Sequence, residues 1–356
     1  YVLALLIKPQ ALLVAPIGGA YLLVCFLQKQ EPAQRRKEAI HALWGLGLAV
    51  VVAAAVVMPF AIHKENPLVW LFELYRTTTT FYSYATINTA NLYYLAGANW
   101  TSLSQEAPGL LCALTALLSG VCGVWLMLRG PVQIKRRSTA IAVLCLVLCG
   151  VQVALWAFGA TYGTYGYLRM GFAFLYALLC LIYDPRPETL PFTMALALIG
   201  VYMLGCMVHE RYLFPALPLL IMGYTLTRDK RLLLLCGGLS ATTFLNVSII
   251  LDNAIVLGAQ QGHLNNDTMA LNIILCILNL LLLLYAGYIG LTGLRPSPER
   301  KKANAEETTE DPSSYRDMLL HPGDARMRLG AKDYLIMGVT TALYAALAFT
   351  NLGSTV

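Results

Sequence analysis

Residues 268–291 read TMALNIILCILNLLLLLYAGYIGL, 24 residues without one Asp, Glu, Lys or Arg. As a helix rising about 1.5 Å per residue, such a run is long enough to cross the roughly 30 Å hydrocarbon core of a bilayer. Backbone amides find no water there, so an uncharged run of this length is read as a helix whose hydrogen bonds close within the segment. A transmembrane β-barrel needs short alternating strands, and this run does not alternate.

The same reading extends outward along the chain. Further apolar runs lie at 9–27, 39–62, 108–128, 139–158, 170–183, 189–207, 212–227, 232–252 and 333–350, which makes about ten spans in all. The expected fold class is therefore all-α, a polytopic transmembrane helical protein. The fifth and seventh runs are short, as for helices that tilt little or end in a cavity. Composition agrees: 58% of the 356 residues are hydrophobic and 12% charged, with mean hydropathy +0.63. Soluble domains carry about 25% charge, so this surface is not built for water. All nine cysteines fall inside apolar runs and read as small buried hydrophobes, with no disulfide framework or metal-ligand spacing.

Tyr1 opens in mid-run without an initiator Met. Residues 1–7 are expected to be the tail of an earlier span, and the chain an internal piece of a longer protein. The organisation expected is a transmembrane core over 1–291, a solvated linker rich in Pro, Ser, Glu and Lys over 292–332, and a further span in 333–356.

Charge orients the spans. Alternate loops carrying Lys29, Arg35–Lys37, Arg129, Lys135–Arg137, Arg186, Arg228–Arg231 and the basic residues of 292–332 hold twenty of the 25 Lys and Arg. The opposite side keeps Lys8, Lys64, Arg76, Arg169 and Arg211. The basic loops are expected in the cytoplasm. The net charge of +6 is thus accounted for by topology, and nucleic acid is not an expected partner.

An ionisable group inside the bilayer costs about 2.5–3.5 kcal/mol on insertion scales and commonly faces a cavity. Three polar clusters at outer helix ends are therefore the candidates. In His209-Glu210-Arg211-Tyr212, Arg211 and His209 could bind a phosphate that Glu210 helps to orient, or the group could be a polar helix end snorkelling to the interface. It is no HExxH zinc site, because Leu213 stands where the second His is needed. In Lys8-Pro9-Gln10, Pro9 would open a helix end and free amides for an anion, or Lys8 could simply snorkel. The third cluster holds Asn88, Asn91, Asn99 and Trp100, suited to sugar hydroxyls and ring faces, or to turn chemistry and an interfacial aromatic belt. The stretch Tyr162–Gly166 lacks Gly-Lys-Ser/Thr and is no phosphate loop.

Taken in order, the Lys8-Pro9-Gln10 element, the Asn88–Trp100 loop and the His209–Tyr212 knot resemble bacterial integral membrane proteins of the glycosyltransferase-C superfamily, akin to the second mannosyltransferase of GPI-anchor assembly. The resemblance runs over nearly the whole chain, with His-Glu-Arg-Tyr its most specific element. It implies a mannosyltransferase or other hexosyltransferase, inverting, in the cell (cytoplasmic) membrane with its active face outward. It implies a polyprenyl-phosphate sugar donor, an acceptor of unknown identity, the lipid bilayer as surroundings, and no cofactor or metal. His209 and Arg211 would contact the donor phosphate, Glu210 would hold them, and Lys8 and Gln10 would complete the pocket. Asn88, Asn91, Asn99, Trp100 and Tyr212 would meet sugar or acceptor. The catalytic Asp or Glu is expected in an outer loop before Tyr1. The rival expectation is a transporter or flippase of a lipid-linked sugar, which should carry ionisable groups near mid-span.

Overall fold

The computed structural model describes residues 9–28, 31–131, 134–257 and 266–295, with backbone alone at 9, 10, 79, 253–257 and 266–268. Lys8, most of the 292–332 linker and the run at 333–350 lie outside the described residues.

The chain enters through a 3₁₀ turn, Pro9–Val14, into α1 (Ala15–Gln28) and then α2 (Pro32–Ala61). A short helix α3 (Pro67–Thr80) and a single turn α4 (Leu92–Leu95) follow. The bundle continues as α5 (Gly109–Arg129), α6 (Lys135–Ala157), α7 (Tyr162–Tyr183), α8 (Leu190–Leu204), α9 (Ala216–Thr227), α10 (Lys230–Leu257) and α11 (Asn266–Thr292). Among the described residues the only β pairing is four isolated bridges. The protein is all-helical and polytopic: among the described residues eight helices are long and apolar enough to cross a membrane, and α9 is a shorter apolar helix.

Two features go beyond the apolar runs. The segment between the runs at 39–62 and 108–128 is not loop throughout, because Asn66 accepts a hydrogen bond from the Val69 amide and Pro67 starts α3 as a helix-compatible first residue. The fifth span is longer than the apolar run at 170–183. Thr161 caps the helix by accepting from the Thr164 amide, so α7 begins at Tyr162 and draws Arg169 into its interior.

The core is centred on α8. Phe192, Ala195, Leu196, Leu198, Ile199, Tyr202 and Met203 are all buried, packed on α1, α7, α9 and α11. The two antiparallel neighbours α5 and α6 pair closely beside α7. Lipid tails are as apolar as leucine, so helices associate here through close fit of small residues. At Gly200 any side chain would run into Ala173 of α7. The apolar outer surface fits the same solvent: Leu118, Trp125, Leu284 and Phe244 are exposed, and α2 buries only Ala61.

The short α9 matters for the site. Its 12 residues extend about 18 Å. A helix that short crosses only part of a roughly 30 Å apolar layer.

Candidate functional site

The segment between α8 and α9 is stapled to the segment between α3 and α5. The Ile87 amide donates to the Val208 carbonyl at 3.1 Å and the Met207 amide to the Tyr84 carbonyl at 3.1 Å. The Thr89 hydroxyl also donates to the Val208 carbonyl, at 2.7 Å. A parallel bridge pairs Ile87 with His209. Two of the three sequence clusters, Asn88–Trp100 and His209–Tyr212, thus form one unit. Of the third, Lys8 lies outside the described residues and Gln10 is placed only by its backbone, in a turn packed on α8. Three non-glycine residues here hold left-handed backbone: Asn88 (φ 54°), Trp100 (φ 58°) and Met207 (φ 59°). Asparagine tolerates that region; for Trp and Met it is strain that the surrounding bonds must hold.

His209 is 6% exposed, its ring edge-on to Tyr82 at 4.6 Å and tilted against Tyr212 at 5.1 Å. Burial, helped by the nearby Arg211 charge, lowers its pKa to about 4. At neutral pH it is an uncharged imidazole, able to offer one donor and one acceptor. Glu210 sits 3.9 Å from His209 Nδ1 and 3.7 Å from Arg211 Nη1, too far for direct hydrogen bonds. Burial raises its pKa, with its own backbone amide and Arg211 pulling the other way. Arg211 is the exposed member, at 57% of its side chain. The turn therefore presents one accessible cation beside a carboxyl whose proton is held more tightly than usual and a neutral imidazole. That set can bind an anion or pass a proton. Among the described residues no group of three or more His, Cys, Asp or Glu is placed to hold a metal ion.

The asparagine cluster is bound into the loop's own architecture. Asn88 Oδ1 accepts from both Asn99 Nδ2 and Trp100 Nε1, and its amide donates to Asn99 Oδ1 at 2.7 Å. Asn91 is fully buried; it caps α4 through the Tyr93 and Tyr94 amides and donates to the Tyr202 carbonyl. Asn88, Asn99, Trp100 and Tyr212 keep partial exposure and can face a ligand. Asn91 acts through the backbone it fixes.

Two polar groups that sequence reasoning missed anchor this unit. Asn246 of α10 and Asn272 and Asn279 of α11 are fully buried and reach up to the loop. Asn246 donates to the Asn88 carbonyl and accepts from the Ala90 amide; Asn279 donates to the Ala90 carbonyl at 2.7 Å. Asn272 joins Asn246 to the Tyr94 hydroxyl. Asn279 lies near the middle of α11, so the loop at 88–91 descends between helices, where irregular backbone survives only if protein satisfies it. Lone Asn residues inside the 230–257 and 266–292 apolar runs were the available signal.

The second group is Arg169, which the charge pattern assigns to the side opposite the basic loops. It is 2% exposed, inside α7. Its Nε and Nη2 both donate to Gln152 Oε1, Nη2 also to Thr115 Oγ1 at 2.7 Å, and Nη1 to the Tyr93 hydroxyl. Burial pushes the Tyr93 phenol up to about 12, with Arg169 opposing in part, so Tyr93 brings no charge.

Fold and site together define a polytopic helical membrane protein with a polar turn at one end of its bundle. No protein-family model, curated protein or solved structure matches the chain.

Proposed function

We propose that the protein is a membrane glycosyltransferase that moves a sugar, with mannose the expected one, from a polyprenyl-phosphate donor to an acceptor on the outer face. The observation that carries this reading is the polar turn stapled to the 84–100 loop. Exposed Arg211 stands beside partly buried Glu210 and buried His209, and the turn is stapled to a loop presenting Trp100 and Asn88. Breaking a glycosyl–phosphate bond builds negative charge on the departing phosphate, and a positioned guanidinium stabilises that charge. Neutral His209 would donate one hydrogen bond to the same phosphate. Glu210 would set the position of both. Trp100 and Tyr212 offer ring faces to a sugar. A site at the end of a short apolar helix suits a donor whose tail stays in the membrane. The charge bias of the loops would place the His209 end outward.

A transporter of a lipid-linked sugar is the second reading. One observation favours it: Arg169 is an ionisable group inside a span, where pathways for charged cargo are found.

The deciding experiment supplies the intact protein in membranes with radiolabelled polyprenyl-phosphate mannose and compares Glu210→Gln and Arg211→Ala at matched expression. Label transfer falling at least about tenfold, a loss of about 1.4 kcal/mol of transition-state stabilisation, supports the enzyme with its phosphate at this turn. Transfer unchanged in both variants removes the turn from the mechanism. Label crossing the bilayer without transfer makes the protein a transporter.

A further inference from the structure

A cleft of about 430 Å³ runs between α5, α6, α7 and α11, with α8 as its floor. That volume falls in the roughly 300–1,000 Å³ range of small-molecule sites. From Thr115 to Leu126 on α5, or from Leu280 to Leu291 on α11, its walls extend about 16 Å along the helices. Those walls are Leu118, Trp125, Leu148, Phe172, Leu284 and their neighbours. Leu118, Trp125 and Leu284 are more than half exposed, so the cleft opens sideways to lipid. One end is different. Thr115, Ser119, Gln152 and Arg169 all line it at the end nearer His209, tied together by the Gln152–Ser119 bond at 3.2 Å and the Arg169 bonds already described.

Arg169 is a full positive charge held by neutral partners. Gln152, Thr115 and Tyr93 take four of its five N–H donors, and among the described residues no Asp or Glu pairs with it. A buried cation without a counter-ion is costly, and an anion delivered from the lipid side removes that cost. An inorganic anion would leave the 16 Å of apolar wall unfilled. We propose that the cleft is a binding site for an anionic membrane lipid, with one hydrocarbon chain lying along α5 and α11 and its phosphate against Arg169. The site is separate from the turn at His209 and stands whether or not that turn transfers sugar.

Trp125 in the wall supplies the readout. The full chain is placed in vesicles of phosphatidylcholine doped with brominated-chain phosphatidylglycerol or brominated-chain phosphatidylcholine, and the quenching that disappears in Trp125→Phe is measured. The anionic lipid is expected to quench at about tenfold lower mole fraction, the size of one charge-assisted contact. Arg169→Gln should bring the two lipids level. Cys122→Phe, which fills the cleft away from the arginine, should remove the anionic preference and serves if Arg169→Gln does not fold. Equal quenching by both lipids in the native chain overturns the proposal, as does a preference that survives Cys122→Phe. Loss of the preference on adding inorganic phosphate alone would reassign Arg169 to a free anion.

Discussion

The turn at His209 and the clasp at Asp229 sit at opposite ends of α9, built from the same kinds of residue and wired in opposite ways. At the clasp, Arg231 grips Asp229 with Nη2–Oδ2 at 2.6 Å and Nε–Oδ1 at 3.0 Å. The Arg231 and Arg295 amides add two more bonds to the carboxylate. The spare guanidinium donors go to Thr292 Oγ1 and the Gly293 carbonyl, locking α11 to α10. Burial pushes the Asp229 pKa up, but these bonds outweigh it and hold the carboxyl below its ordinary range. At the turn, Glu210 has an arginine and a histidine beside it, neither within hydrogen-bond distance, and burial dominates. Satisfied charges hold a fold together. Charges brought close without bonding one another cost stability and keep their reactivity.

The largest effect expected from this contrast is on the clasp. Asp229→Ala leaves the Arg231 guanidinium, 13% exposed, buried without its partner. Removing one member of such a pair costs about 3–5 kcal/mol. The thermal midpoint of the protein in nanodiscs should fall steeply, with any transfer activity lost only in step with folded protein. A midpoint unchanged by Asp229→Ala would mean the clasp is ornamental and the contrast empty.

Next comes the asparagine ladder that holds the turn's partner loop. Asn279→Leu removes the donor to the Ala90 carbonyl and strands that carbonyl in an apolar place, at a cost of about 1–3 kcal/mol. Hydrogen exchange should rise selectively over residues 84–95 while α8 stays protected. Uniform loss of protection would show that the ladder supports the whole bundle instead of positioning one loop.

How much of this was legible in advance follows from what each feature depends on. The spans could be read because the bilayer imposes one requirement, a closed backbone and an apolar surface, on each segment separately. The candidate residues 209–212 stood out because three adjacent ionisable groups have no place at a lipid boundary without a reason. Their union with Asn88–Trp100 was not legible, since Thr89 and Val208 are 119 residues apart and no local pattern encodes that staple. Arg169 misled for a related reason. Next to Tyr162–Gly166 it looks like the edge of a loop, and only partners on α4, α5 and α6 make its burial tolerable. Asn91 reads as a sugar ligand in isolation, and its role as a helix cap emerges only once α4 exists.

Acid should separate the two ends, because between pH 7 and 5 the turn responds and the clasp does not. His209 has a folded pKa of about 4, below its ordinary 6.5. Between those values the unfolded chain binds the extra proton, so stability falls as pH drops through the window, by about 2 kcal/mol from 6.5 to 5. Glu210 works the other way: its raised folded pKa contributes stability at low pH that is lost as pH climbs past the ordinary glutamate value. The clasp does not move in this range, because Asp229 titrates below it. His209→Gln should therefore flatten the thermal midpoint between pH 7 and 5. A profile as steep as the native one would show that the imidazole is not held neutral.

The smallest stability effect is expected at Glu210, and its smallness is the point. A carboxyl held by burial with distant cations gains little from its charge, so Glu210→Gln should change the folding free energy by under about 1 kcal/mol. The isosteric amide keeps the shape of the turn and the Tyr202 hydrogen bond to the Glu210 carbonyl, leaving only the charge and proton affinity altered. If transfer then falls tenfold in protein that melts like the native chain, the loss belongs to chemistry at the turn and not to its architecture. A drop in stability comparable to that of Asp229→Ala would instead make the turn a second clasp, and the electrostatic difference between the two ends of α9 would carry no functional meaning.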